Sequence, residues 1–223
     1  MTNEVQQKKQ KTPQYSPLRL VGILSFVGFF TVLLIVATFT RIKLFNILQP
    51  FLGLLHPEFF QDLGSVFAFK SYFYIPQVPV LLFSVALLGA ACTMTSAFFY
   101  IVLGLTLIPI FGLGGGFNYV LQPSFGYILA FIPASLIAGG IMYRNHSVKN
   151  MLKATITAVL IIHILGFFYM LLVLLLKHEN FSYIMDWLFF ESFTRAVFDI
   201  IFGFLAMLLA KFFRKFTWII TAI

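Results

Sequence analysis

Apolar residues fall in long unbroken runs along this chain, and polar residues sit between the runs instead of alternating within them. The runs are Leu20–Thr38, Ile75–Ala91, Met94–Phe111, Phe125–Met142, Ala154–Leu176 and Arg195–Ala210. Each approaches the roughly 20 apolar residues that a helix needs to cross the hydrocarbon core of a bilayer. Backbone N–H and C=O groups find no water there, so a span must be a helix or part of a closed barrel. Runs without period-2 alternation select helices. The expected fold is therefore all-α: a polytopic membrane protein built as a six-transmembrane-helix bundle. Gly89 to Thr93 leaves room only for a very short hairpin between the second and third spans, while Arg144 to Lys149 separates the fourth from the fifth.

Residues 1–18 are polar, rich in Lys and Gln, and broken by Pro13 and Pro17, which predicts a disordered basic tail. The apolar run after it is too long for the core of a signal peptide and lacks an A-x-A-type site, so it reads as an uncleaved span. Residues 19–223 form one membrane domain. Between the first two spans lies Ile42 to Tyr74, where Pro50, Pro57, Glu58, Asp62 and Lys70 interrupt an apolar background. Within it, Leu44–Leu55 fits an interfacial helix, a re-entrant piece or a lid.

Composition agrees with hydrocarbon as the main solvent. Of 223 residues, 61% are hydrophobic and only 10% charged, with a mean hydropathy of +0.98. A soluble domain is about half apolar and about a quarter charged. In a soluble domain the net charge of +8 would suggest a polyanion. Here the basic residues cluster at the ends of apolar runs, so no nucleic-acid partner is called for. Lys8, Lys9, Lys11, Arg19, Arg144, Lys149, Lys153, Lys211, Arg214 and Lys215 fall on one side; Arg41, Lys43, Lys70, Lys177 and Arg195 fall on the other. The excess predicts that both termini are cytoplasmic in a cell membrane, and that the loop between spans 3 and 4 faces outward. The single cysteine, Cys92, has no partner for an internal disulfide.

That outward loop is the most distinctive stretch of the chain. Gly114, Gly115 and Gly116 allow close backbone approach to a ligand. Asn118, Tyr119 and Gln122 supply donors and acceptors beside Phe111, Phe117 and Phe125. Apolar walls with a few convergent polar groups make a small-molecule pocket. A flexible outer hairpin with glycines for packing is the other reading of the same residues.

The order of these residues adds to the pocket reading. Gly104-(x)4-Pro109-Ile110-Phe111, then Gly114-Gly115-Gly116, then Gln122-Pro123-(x)2-Gly126-Tyr127 resembles the signature of the BioY family, the biotin-specific S components of energy-coupling factor transporters. The resemblance extends from about Gln77 to about Tyr169 and is nearest to divergent, cyanobacterial-type members. It implies a six-helix bundle that holds biotin near its outer face, with Phe111, Tyr119 and Tyr127 against the bicycle and Gln77, Asn118 and Gln122 against the ureido group. It also implies partners: a transmembrane coupling subunit and two cytoplasmic ATPase subunits. The chain itself carries no G-x-x-x-x-G-K-[ST] phosphate loop. Family members commonly carry an acid followed three residues later by lysine on the sixth helix. Here the region reads Glu191-Ser192-Phe193-Thr194-Arg195-Ala196-Val197-Phe198-Asp199, without that pair.

Arg195 and Asp199 are four apart, hence on one helix face. Ionisable groups inside a span are costly and turn toward the bundle or a wet cavity. They read either as a structural ion pair or as the groups that meet a ligand's carboxylate and N–H. His163 stands near mid-helix and reads as a helix–helix hydrogen bond. Gln77, between Pro76 and Pro79, reads as a pocket residue because its amide both donates and accepts. Gly22, Gly28 and Ala206-x-x-x-Ala210 permit close helix approach, within the bundle or at a subunit interface.

No metal motif, paired carboxylates or Ser/Lys dyad is present, so no catalytic residue, metal or cofactor is expected. Vitamin capture is the leading function, with biotin as substrate. An S component for a different vitamin, an intramembrane enzyme and a non-transporting scaffold are the alternatives.

Overall fold

The computed structural model of the protein describes residues 17–45, 71–178, 184, 188 and 192–221. Its helices in chain order are α1 (Pro17–Phe39), α2 (Gln77–Leu88), α3 (Ala90–Thr106), α4 (Phe125–Leu129), α5 (Phe131–Met142), α6 (Val148–Leu176) and α7 (Thr194–Thr221), with a 3-10 turn over Phe117–Leu121. Four stretches are long and apolar enough to cross a membrane: Leu20–Phe39, Phe125–Met142, Val148–Leu176 and Thr194–Arg214. The chain is thus a multi-pass membrane protein. Gln77–Leu88 and Ala90–Thr106 are shorter apolar helices. The tail expected over residues 1–18 falls almost wholly outside the described residues, as does most of the segment 42–74.

What is described of that segment departs from an all-helical chain. Two short strands, β1 (Ile42–Phe45) and β2 (Ser71–Tyr74), pair antiparallel with Ile42 opposite Tyr74. Helix ends depart as well. α6 starts at Val148 rather than Ala154, because Ser147 caps it by accepting from the Asn150 N–H at 3.2 Å. α7 runs past Ala210 into Lys211 and Arg214, since helical hydrogen bonding continues where hydropathy has already fallen. In the opposite sense, the third span stops at Thr106 rather than Phe111. Pro109 has no N–H to give the next turn, and the chain folds back through Phe111–Gly114. The fourth span is interrupted at Ala130, between α4 and α5. Pro133 removes the hydrogen bond that would have gone to Leu129 and crowds its carbonyl.

Without a hydrophobic drive between helices in lipid, packing relies on small residues that let backbones approach. Ala97, Ala134, Ala138, Ala154 and Ala158 are all fully buried, together with Leu82, Ile162 and Met207. α2 packs on α7, and α5 on α6. Ala210 is buried, whereas a Cβ at Gly22 or Gly28 would meet nothing within 4 Å. These two glycines therefore make no close helix approach within the described bundle. A second cluster joins Leu34 of α1 and Tyr100 of α3 to Phe111 and Tyr119 of the connecting loop and Phe125 of α4. The outer faces carry exposed Leu24, Phe29, Leu160, Phe168 and Leu205, as lipid contact requires.

Candidate functional site

Between the two clusters lies a cavity of about 250 Å³, just below the range of about 300–1,000 Å³ usual for drug-sized ligands. It gathers the C-terminal end of α1, the start of α2, the 112–124 loop, α4, the middle of α6 and the first turns of α7. Its apolar wall includes Phe73, Ile128, Phe131 and Ile162, and its polar groups include Arg41, Tyr119, Tyr127 and His163.

Two hydrogen-bond networks build the polar wall. In the first, Gln77 Nε2 donates to Thr38 Oγ1 at 2.8 Å and to the Tyr100 hydroxyl at 2.9 Å. Both amide hydrogens are thereby engaged within the bundle. The remaining Oε1 accepts from Arg195 at 3.4 Å. In the second, Asp199 is fully buried, accepts from the Tyr74 hydroxyl at 2.7 Å, and lies 3.2 Å from His163 Nε2 and 3.9 Å from Arg195 Nε. A buried carboxylate needs such partners, because the interior offers little solvation. When His163 Nε2–H donates to Asp199, the other ring nitrogen is a bare acceptor. That Nδ1 atom is buried without a hydrogen-bond partner among the described residues.

Tyr127 is set by a close fit between helices. A Cβ on Gly166 of α6 would stand 2.4 Å from its ring, so glycine lets the tyrosine lie against that helix. Its hydroxyl bonds to Ser192 Oγ, and its ring meets His163 edge-on at 5.6 Å.

Of the residues singled out from sequence, Gln77, Tyr119, Tyr127, Arg195 and Asp199 line this one cavity. Phe111, Gly114, Gly115, Gly116, Asn118 and Gln122 do not; the loop presents Gly112 and Leu113 there instead. Phe111 is buried behind the wall, 4.5 Å from the Tyr119 ring and 5.4 Å from Tyr100. Gly115 packs on protein backbone: a Cβ there would meet Pro109 Cα at 2.6 Å and the Gly104 carbonyl at 2.8 Å. The same carbonyl accepts from the Gly116 N–H at 2.8 Å. Asn118 is exposed, and the Gln122 N–H closes the 3-10 turn on Tyr119. The glycine run thus shapes the loop that seats Phe111 and Tyr119.

Sequence reasoning missed Thr38, Arg41, Tyr74 and Tyr100. Only Arg41, a charge just past the end of an apolar run, carried a signal in the sequence. Arg41 matters most for charge. With Arg195 it sets two cations against the carboxylate of Asp199, so the described lining is electropositive.

The model of the BioY family matches residues 66–217. The chain belongs to the BioY family. That match takes in β2, α2 through α6 and most of α7, hence every cavity element except those of α1. A Lysinibacillus sphaericus protein described as "Probable biotin transporter BioY" is 36% identical over 123 residues, which are 52% of this chain and 62% of that protein. The matched stretch therefore spans less than two thirds of that relative. The crystal structure of an S-component for biotin from an ECF-type ABC transporter superposes with a TM-score of 0.63 at 17% identity. The match covers 90% of this chain and 95% of that one, so the BioY chain described here shares its fold.

Proposed function

We propose that this BioY chain is the substrate-binding membrane subunit of a biotin uptake transporter, and that the cavity between α1, α2, α6 and α7 receives biotin. The observation that carries this reading is a cavity with two arginines and an aromatic and aliphatic wall in a chain of the BioY family. Biotin offers a ureido group that donates and accepts, an apolar bicycle with a sulfur, and a carboxylate on a flexible chain. The His163 imidazole, which lines the cavity, and the Arg195 guanidinium suit the ureido group. Tyr127, Ile128 and Phe131 suit the bicycle, and Arg41 suits the carboxylate.

In this reading Asp199 positions His163 and Arg195 rather than touching the ligand, since its side chain is fully buried behind them. The glycine loop, with Phe111, Asn118 and Gln122, supports and covers the cavity from outside. The partners are a transmembrane coupling subunit and two cytoplasmic ATPase subunits. Their role is to energise a chain that binds its cargo without performing chemistry on it.

The bundle is read as six spans, with α4 and α5 together forming the fourth, and both termini in the cytoplasm of a multi-pass protein of the cell membrane. Biotin titration of the purified protein tests this proposal, with His163→Phe and Arg41→Gln expected to weaken binding. A parent protein that ignores biotin and binds another vitamin would overturn it.

A further inference from the structure

A second cavity, of about 570 Å³, opens at the other end of the bundle from the first, between the α2–α3 turn, the C-terminal end of α5 and the late turns of α7. Its walls are apolar, with Val85, Leu88 and Leu136, and its polar groups are His146 and Arg214. Arg214 closes the apolar stretch Thr194–Arg214, and His146 follows Phe125–Met142 by four residues. The two therefore stand at headgroup depth, with apolar walls leading from them into the hydrocarbon. Tyr143, 83% exposed, sits where interfacial aromatics collect.

Among the described residues, charge at this end is one-signed. Arg144, Lys149, Lys153, Lys211 and Arg214 are all exposed. The acidic residues of the chain are Glu4, Glu58, Asp62, Glu179, Asp186, Glu191 and Asp199. Only Asp199 is among the described residues, and it lies at the opposite end. Burial and, after it, the charge of Arg214 hold His146 below its ordinary pKa. At neutral pH it is therefore an N–H donor rather than a further cation. A guanidinium fork beside a neutral imidazole N–H, above an apolar cleft, matches a phosphodiester that carries acyl chains.

We propose that this cavity is a binding site for an anionic phospholipid, with the phosphate at Arg214 and His146 and an acyl chain along Leu88 and Leu136. Size argues against a docked protein helix. A helix about 10–12 Å across with a 5.4 Å pitch occupies about 400–600 Å³ per turn, so the cavity holds only one turn. The apolar walls argue against free phosphate, which would leave them empty.

The test is native mass spectrometry of the full chain in detergent, titrated with phosphatidylglycerol or with phosphatidylcholine of identical acyl chains. Phosphatidylglycerol should be preferred, and Arg214→Gln should reduce that preference about fivefold. Gly140→Leu should block the site for both lipids, because Gly140 lines the cavity and a Cβ there would meet no protein atom within 4 Å. Free glycerol phosphate should fail to compete. The proposal is overturned by equal uptake of the two lipids, by a preference that survives both substitutions, or by full competition from glycerol phosphate. It is also overturned if the substitutions abolish capture of the coupling subunit and leave lipid preference intact. The readout counts bound lipid, so it stands apart from the identity of the transported substrate.

Discussion

The hydroxyl of Tyr74 donates to the buried carboxylate of Asp199 at 2.7 Å, joining residues 125 positions apart. Tyr74 ends strand β2 and Asp199 lies in the second turn of α7, so the bond ties the β ribbon to the helix that carries Arg195. Asp199 then reaches His163 of α6 through its other oxygen. One carboxylate therefore fixes three elements around the cavity mouth.

Removing that tie leaves a buried charge with one donor fewer. Tyr74→Phe is expected to destabilise the protein by about 1–3 kcal/mol, lowering its unfolding midpoint by several degrees. Thermal unfolding of the detergent-solubilised protein checks it. An unchanged midpoint would mean that the ribbon is not held through this bond.

Gln77→Leu should weaken biotin binding by about 1–3 kcal/mol, or about 5- to 150-fold in Kd. Arg195, Thr38 and Tyr100 all lose their shared partner in that variant. Asn118→Leu should leave Kd unchanged, because Asn118 is exposed and outside the cavity lining. Equal losses in the two variants would return the outer loop to direct ligand contact.

The glycine loop yields a paired prediction. Gly115→Val drives a side chain into the backbone of Pro109 and Gly104, so it should prevent stable folding. Gly112→Val places its Cβ in open space at the cavity, so it should fold and bind biotin more weakly. Yields and elution profiles separate folding from affinity, and a well-folded Gly115→Val protein would contradict the packing described here.

Hydrophobic runs made the spans readable because hydrocarbon leaves so few other solutions for an apolar stretch. Leu20–Phe39 and Phe125–Met142 correspond closely to runs seen in sequence. The pairing of Ile42 with Tyr74 was not readable, since each strand is only four residues long and as apolar as the helices beside it. The lining of the candidate cavity was legible where chemistry is unusual for its surroundings, as with Gln77, Arg195 and Asp199 inside apolar runs. Thr38, Tyr74 and Tyr100 are unremarkable in sequence and acquire their role only when α1, β2 and α3 bring their hydroxyls to Gln77 and Asp199. Conversely, Gly115 looked like a ligand contact because glycine permits close approach, yet what approaches it is the backbone of the protein itself.

Orientation has its own test. A cysteine placed at Asn118 should react with an impermeant thiol reagent in intact cells, and one placed at Asn145 should not. The reverse pattern would put the cavity on the cytoplasmic side.

The central claim is that the cavity binds biotin and that Arg41 meets its carboxylate. Calorimetric titration of the purified chain with biotin and with biotin methyl ester, in the parent and in Arg41→Gln, tests it most directly. The parent should bind biotin about tenfold more tightly than the ester, a difference of about 1.4 kcal/mol, as expected for a charge-assisted hydrogen bond. Arg41→Gln should bind the two alike, at the ester's affinity. No heat with biotin, alongside clear binding of another vitamin, would contradict the assignment.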